Sequence, residues 1–179
     1  MRPVNPLWYL AALTIALLGW IVGTAVAAGA WDAVREAPIG PFNGPLEASG
    51  YSVAVFTDVV QPERRVSCTE TTEPARKSKQ DPEPVPAASL ELVVQDDGNE
   101  WHLIGFEPNG RDQMIVRCSP ADKRADNATY AFSAVQGWKD RANTGNGIAI
   151  LGTAFGIGLA LWTFIARRRH EPETDDASA

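Results

Sequence analysis

Two long apolar stretches lie near the ends of the chain and enclose a polar segment. They cover residues 7–31 and 145–166, neither contains a charged residue, and each is close to the roughly 20 residues that a bilayer-spanning helix needs. The pattern therefore predicts two transmembrane helices. The first stretch could instead be a cleavable signal peptide, because residues 25–27 and 28–30 have the small-x-small spacing of a signal-peptidase site. Its length favours a retained helix.

Positive charge directly follows the second stretch and sets the expected orientation. Basic residues next to a membrane helix are kept on the cytoplasmic side, and this stretch ends at three of them, Arg167, Arg168 and Arg169. We therefore expect an integral plasma-membrane protein with a cytoplasmic N-terminus over residues 1–6 and a cytoplasmic tail over residues 167–179. Residues 32–144 are then extracytoplasmic.

Small residues line one face of each predicted helix. They are Gly19 and Gly23 on the first helix, and Gly152, Gly156 and Ala160 on the second. Such faces let membrane helices approach closely, although glycine is also commoner in membrane helices than in soluble ones. We expect the two helices to pair within one chain, or to dock onto a larger membrane protein or a second copy. The lipid bilayer is the other expected partner.

The segment between the helices changes to the alternating pattern of β-strands. Residues 51–56 form the first of six strand-like runs rich in Val, Ile, Phe and Tyr. Turn signals at 96–99 and 107–110 predict that the last four runs form a mostly antiparallel meander. We therefore expect a membrane-anchored, mainly β protein in which two transmembrane helices flank a small antiparallel sheet, sandwich or barrel.

Two further segments carry signals for irregular structure. Residues 73–88 include three alternate prolines and are predicted to form a solvated loop, with an exposed docking arm as the alternative. Residues 137–147 are polar and glycine-rich, which predicts a short connection into the second helix, with Asn143 or Thr144 as its N-cap.

The chain has two cysteines, Cys68 and Cys118. Both lie in the segment predicted to be exported, and an oxidising compartment favours a disulfide between them. Closing a loop of about 50 residues would stabilise the fold by roughly 4 kcal/mol in the chain-entropy model. Reactive thiols or metal ligands are the alternative, but the sequence lacks the CxxC spacing typical of such sites.

The sequence holds no motif for a nucleophile and base, a phosphate-binding loop or a metal site. His102 is expected to be a hydrogen-bonded structural residue, and the acidic residues of 91–100 lack the spacing of a calcium loop. Asn127 stands in an acceptor pattern for N-glycosylation. We therefore expect no catalytic residues, no cofactor and no metal.

The formal net charge of −6 at pH 7 belongs to the central segment, because the charges of the two flanks cancel. Nucleic-acid binding depends on a basic patch, so this balance argues against a nucleic-acid partner. The predicted architecture resembles bacterial envelope proteins in general. It favours a non-enzymatic cell-envelope protein that acts as an accessory or scaffold subunit of a larger membrane assembly. The alternative is an extracytoplasmic sensor or binding domain for a small molecule or wall polymer, which would need an apolar or aromatic-lined cleft.

Overall fold

The computed structural model describes five stretches of the chain, residues 5–41, 44–60, 66–72, 81–120 and 126–169. The described residues form two compact units. The first, called here the helical unit, contains residues 5–29 and 141–169. The second, the β unit, lies within residues 30–140.

The two helices are long and apolar. α1 spans Leu7–Glu36 and α2 spans Trp138–Arg169, which at 1.5 Å per residue gives lengths of about 45 and 48 Å. Their most apolar windows have mean hydropathies of 2.1 and 2.0, so by length and composition both helices could cross a membrane. α1 begins where the side-chain Oδ1 of Asn5 accepts a hydrogen bond from the amide of Leu7 at 3.0 Å. The prediction of two apolar terminal helices is confirmed.

The second helix begins earlier than its sequence suggests. The prediction of a polar connection with an N-cap at Asn143 or Thr144 is wrong, because both residues are already helical. The turn before the helix is made by Gly137, at a φ of 73°, and Asp140 in the first helical turn has the charge that favours a helix N-terminus. A polar helical turn has no apolar periodicity that would distinguish it from a loop.

The described residues of the β unit form eight strands, and six of these strands overlap the strand-like runs of the sequence, at 51–60, 64–71, 89–94, 100–106, 112–118 and 128–135. The eight strands are β1 Gly40–Pro41, β2 Ser52–Thr57, β3 Val66–Thr72, β4 Glu83–Pro84, β5 Val93–Asp96, β6 Asn99–Glu107, β7 Met114–Pro120 and β8 Tyr130–Val135. The strands form a five-stranded sheet in the order β1-β8-β2-β6-β5 and a three-stranded sheet in the order β4-β3-β7. All of their pairings are antiparallel, which confirms the predicted strand direction.

The predicted meander of the last four strands is wrong beyond its first hairpin. β5 and β6 pair through a tight turn in which Asp97 and Gly98 have φ values of 49° and 80°, the left-handed conformation that such turns require. β7 then joins β3 in the other sheet, and β8 pairs with β2. The turn signal at 107–110 marks a crossing between sheets, and a local signal cannot tell a crossing from a hairpin.

The two faces of β2 pack against different cores because successive side chains point to opposite sides. Ala54 and Phe56 belong to a cluster that includes Val34 of α1 and, at its margin, Trp138 of α2. On the other face, valines of β2 join residues of both sheets, including Met114 of β7. The two sheets therefore pack face to face on a shared core.

The proline-rich stretch is ordered where the structure describes it. Residues 73–80 of this predicted loop lie outside the described residues, whereas residues 81–88 form an extended strap that contains β4. The amide of Val85 donates to the carbonyl of Cys68 at 2.9 Å, the Pro86 carbonyl accepts from Phe106 at 2.9 Å, and Val85 is buried. Six of these eight residues are exposed, as expected for a solvated segment. The prediction of a loop missed the backbone pairing, since an extended proline-rich backbone can pair at a sheet edge.

Candidate functional site

The two helices of the helical unit touch backbone to backbone at their glycines. A Cβ atom built on Gly19 would lie 2.6 Å from the Cα of Gly152, a distance that real Cβ atoms essentially never show. A Cβ atom on Gly156 would lie 2.7 Å from the carbonyl oxygen of Ala12 and 2.8 Å from the Cβ of Ala16. The contacts join early residues of α1 to late residues of α2, so the helices run antiparallel.

A second pair of glycines, Gly23 and Gly145, extends this line of backbone contacts, which is called here the glycine seam. A Cβ atom on Gly23 would lie 2.6 Å from the carbonyl oxygen of Gly145, and one on Gly145 would lie 2.6 Å from the amide nitrogen of Ala27. Gly145 is absent from the predicted packing residues, although its spacing of seven residues from Gly152 places it on the same helical face. Ala160, which is among them, is half-buried.

The outer surface of the helical unit is apolar and open. Phe155 is 73% exposed and Trp20 is 60% exposed, and a Cβ atom on Gly158 would meet no described atom within 4 Å. A groove of about 570 Å³ lies between Trp20 and α2 residues that include Asn146 and Ile150. The exposed amide of Asn146 makes no hydrogen bond to any residue that the structure describes.

The three arginines that are predicted to lie on the cytoplasmic side of the membrane end α2. Arg167, Arg168 and Arg169 are exposed in the last turn, where positive charge is favoured by the helix dipole. The guanidinium of Arg168 lies 4.8 Å from the ring centre of Phe164, within the range of a cation–π contact.

An aromatic cluster anchors the helix ends that belong to the β unit. The ring centres of Trp31 and Phe106 lie 5.1 Å apart, and Trp138 lies 5.5 Å from Trp31 and 4.7 Å from Phe106. Aromatic pairs in this range contribute beyond their buried area. The cluster thus ties the end of α1 and the start of α2 to the five-stranded sheet.

The predicted disulfide is confirmed. Cys68 on β3 and Cys118 on β7 are direct cross-strand partners, and their Cα atoms lie 4.0 Å apart. The bond joins two strands of the smaller sheet across 50 residues of sequence. The disulfide therefore stabilises the β unit at the core between its two sheets.

A charged cluster that no sequence pattern predicts lies at the β3–β4 edge of the smaller sheet. Glu70 is 3% exposed, and its Oε1 lies 3.5 Å from Nη2 of Arg111, which also donates to Oε2 of Glu83 at 2.7 Å. Burial raises the pKa of the Glu70 carboxyl, the charges of Glu107 and Glu83 raise it further, and Arg111 opposes them. The hydrogen bond to Glu83, with the charge of Glu70 beside it, raises the pKa of the guanidinium. No local motif marks the cluster, since three separate segments supply it.

His102 is buried, as a structural histidine should be, but it is not well hydrogen-bonded. Its Nδ1 has no partner among the described residues, and its Nε2 lies 3.7 Å from Oε1 of the exposed Glu100. This distance is too long for a hydrogen bond. His102 lies on β6 of the larger sheet and Glu70 on β3 of the smaller one, and no hydrogen bond or ion pair joins them.

The β unit has a small aromatic-lined cleft. Its volume is about 230 Å³, and Trp101 and Tyr130 line it together with Asp96, Asp97 and Asn99. Within the described ranges, no group of three or more His, Cys, Asp or Glu residues is arranged to hold a metal ion. No protein family, curated protein or solved structure matches the chain.

Proposed function

We propose that this chain is a non-enzymatic integral membrane protein of the cell envelope, an accessory or scaffold subunit that binds a larger membrane assembly. α1 and α2 cross the plasma membrane as an antiparallel pair. Both termini are cytoplasmic and the β unit is extracytoplasmic.

The exposed apolar surface of the helices supports the membrane location. Side chains such as Phe155 and Ile150, 73% and 67% exposed, would be unfavourable in water. The arginines that end α2 support a cytoplasmic C-terminus by the positive-inside rule. The disulfide supports an oxidising surrounding for the β unit.

The glycine seam supports retention of α1 after export. Cleavage after Ala27 or Ala30 would remove the helix whose backbone fits against Gly145, Gly152 and Gly156. A solitary α2 would then present an unfilled backbone surface to lipid. Removal of α1 is therefore unfavourable, and we expect the mature chain to keep both helices.

The groove beside Trp20 is the main support for the proposal that the chain binds another membrane protein. Its apolar walls suit another membrane helix, and the Asn146 amide at its edge makes no hydrogen bond to a described residue. Asn146 lies at the outer end of the apolar stretch, where the amide of a partner helix or its backbone can supply an acceptor or donor. The groove is therefore the expected docking surface for a helix of the larger assembly.

Site-specific photocrosslinking in native membranes tests this proposal. A photoreactive residue at Ile150, which lines the groove, should yield one discrete cross-linked product with a different membrane protein. The matched control is Val22, which is exposed but does not line the groove, and it should yield none. Lipid adducts alone at Ile150, or products only with a second copy of this chain, would contradict the accessory-subunit proposal.

The aromatic-lined cleft favours ligand binding as a second candidate function. Trp101 offers an apolar surface, and nearby carboxylates and an amide could fix the orientation of a small polar ligand. A panel of wall-derived saccharides titrated into the full chain in detergent should change the tryptophan fluorescence. Trp101→Phe should abolish that change, and a change that persists in this variant would place binding elsewhere.

A further inference from the structure

The carboxyl group of Glu70 is buried, and only one of its two oxygens has a polar neighbour among the described residues. Its side chain is 3% exposed, and Oε2 has no hydrogen-bond partner among the described residues. Among the described residues, the charged neighbour of Oε1 is Nη2 of Arg111 at 3.5 Å, and that guanidinium is half exposed. Burying an ionised carboxylate without full pairing is costly, so the neutral form of Glu70 is favoured by its position.

The charged groups of the described residues that face Glu70 come from three elements and are mainly acidic. Glu83 is its cross-strand partner on β4, Glu107 ends β6, and Arg111 lies in the connection to β7. β7 itself presents the apolar Val116 directly opposite. Arg111 makes its closest contact, at 2.7 Å, with Glu83. Within the part of the chain that the structure describes, three carboxylates therefore face one guanidinium, and neutralising Glu70 relieves this excess of negative charge.

We propose that Glu70 is a proton-binding site of the β unit, and that proton uptake at Glu70 on mild acidification strengthens the fold. The proton is the ligand that fits, because Oε2 is buried and has no hydrogen-bond partner among the described residues. In the proposed topology the β unit faces the extracytoplasmic medium, so this site would respond to the external pH. The proton-binding proposal itself depends only on the geometry of the cluster.

The direction of the effect follows from linkage. Because burial and the neighbouring carboxylates raise the pKa of Glu70 above its ordinary value of 4.5, the folded chain holds more protons at this site than the unfolded chain does. The free energy of unfolding therefore increases as the pH falls from the raised pKa towards 4.5. The gain is lost again as the pH rises through the raised pKa.

The test uses the full chain in mild detergent. Thermal unfolding of the β unit, followed by near-UV circular dichroism between neutral pH and about 4.5, should show a melting temperature that rises on acidification. Glu70→Gln, which is neutral at every pH, should remove that rise and should melt higher than wild type at neutral pH. The matched control Glu91→Gln changes an exposed carboxyl outside the cluster and should keep the rise.

A direct titration keeps the proposal testable if the variant does not fold. In the wild-type chain, the carboxyl carbon of Glu70, assigned by through-bond NMR, should titrate above 4.5. Arg111→Gln removes the opposing positive charge and should move this midpoint to still higher pH. A Glu70 midpoint at or below 4.5, or an identical pH dependence of melting in wild type and Glu70→Gln, would overturn the proposal.

Discussion

Replacing Gly152 by leucine should separate the two helices. Even a Cβ atom at this position would lie 2.6 Å from the Cα of Gly19, whereas ordinary contact begins at 3.4 Å. The backbones must therefore move apart by about 0.8 Å for alanine, and further for leucine. A gap of roughly 0.5–1 Å already loses a quarter to a half of the energy of each dispersion contact. Overpacking of this kind costs about 1–3 kcal/mol, which corresponds to roughly a 5- to 150-fold shift in the pairing equilibrium.

The separation can be measured at the far ends of the helices. The rings of Trp8 and Trp162 lie 6.2 Å apart, so pyrene labels on Leu7→Cys and Ile165→Cys, both exposed positions, should form an excimer. Because the native cysteines are joined in a disulfide, they do not take the label. Gly152→Leu should lose the excimer at a lower SDS concentration than the parent.

A matched variant distinguishes this effect from a change in hydrophobicity. Gly158→Leu adds the same side chain where no described atom lies within 4 Å, so it should leave the excimer unchanged. Both variants should resist carbonate extraction from membranes equally, because leucine favours insertion. The reasoning is refuted if Gly152→Leu and Gly158→Leu give the same SDS midpoint.

Four further predictions concern the disulfide, the buried histidine, a close backbone contact at Gly110 and the membrane topology. Cys68→Ser should lower the free energy of unfolding by up to about 4 kcal/mol, measured by denaturant titration of the full chain in detergent, and an unchanged midpoint would contradict the stabilising role of the disulfide. His102→Ala should cost stability without loss of partner binding in a pull-down, since the proposed contact surface does not include it; loss of binding by a folded variant would count against that surface. Gly110→Ala should lower the melting temperature, because its Cβ would lie 2.5 Å from the carbonyl oxygen of Ala48; an unchanged melting temperature would refute this. Protease added to spheroplasts should cut the β unit and spare a C-terminal tag; loss of the tag first would contradict the topology.

The elements that depend on local pattern could be predicted from the sequence. The uncharged apolar stretches predict α1 and α2 because a helix of that length and hydropathy is specified within one segment. The disulfide follows from having only Cys68 and Cys118 to pair. The strand-like runs are recognisable because alternation is also a local property.

What depends on contacts between distant segments could not be predicted. The division of the strands into two sheets is decided by which faces of β2 and β7 bury together, and the turn at 107–110 carries no sign of it. In the sequence, Glu70 is one polar residue within a strand. Charged groups from β4 and from the β6–β7 connection reach it only in the folded chain. The ordered strap at 81–88 likewise depends on its pairing with β3 and β6.

The most direct measurement of the central claim is the native mass of the particle extracted with the tagged chain in mild detergent. We expect a complex that holds this 19.3 kDa chain, with α1 retained, together with a different membrane protein in a fixed ratio. Single-site substitution of Trp20 by alanine, at the groove, should release that protein while the β unit remains folded. A particle that contains only this chain, as a monomer or as copies of itself, would contradict the claim.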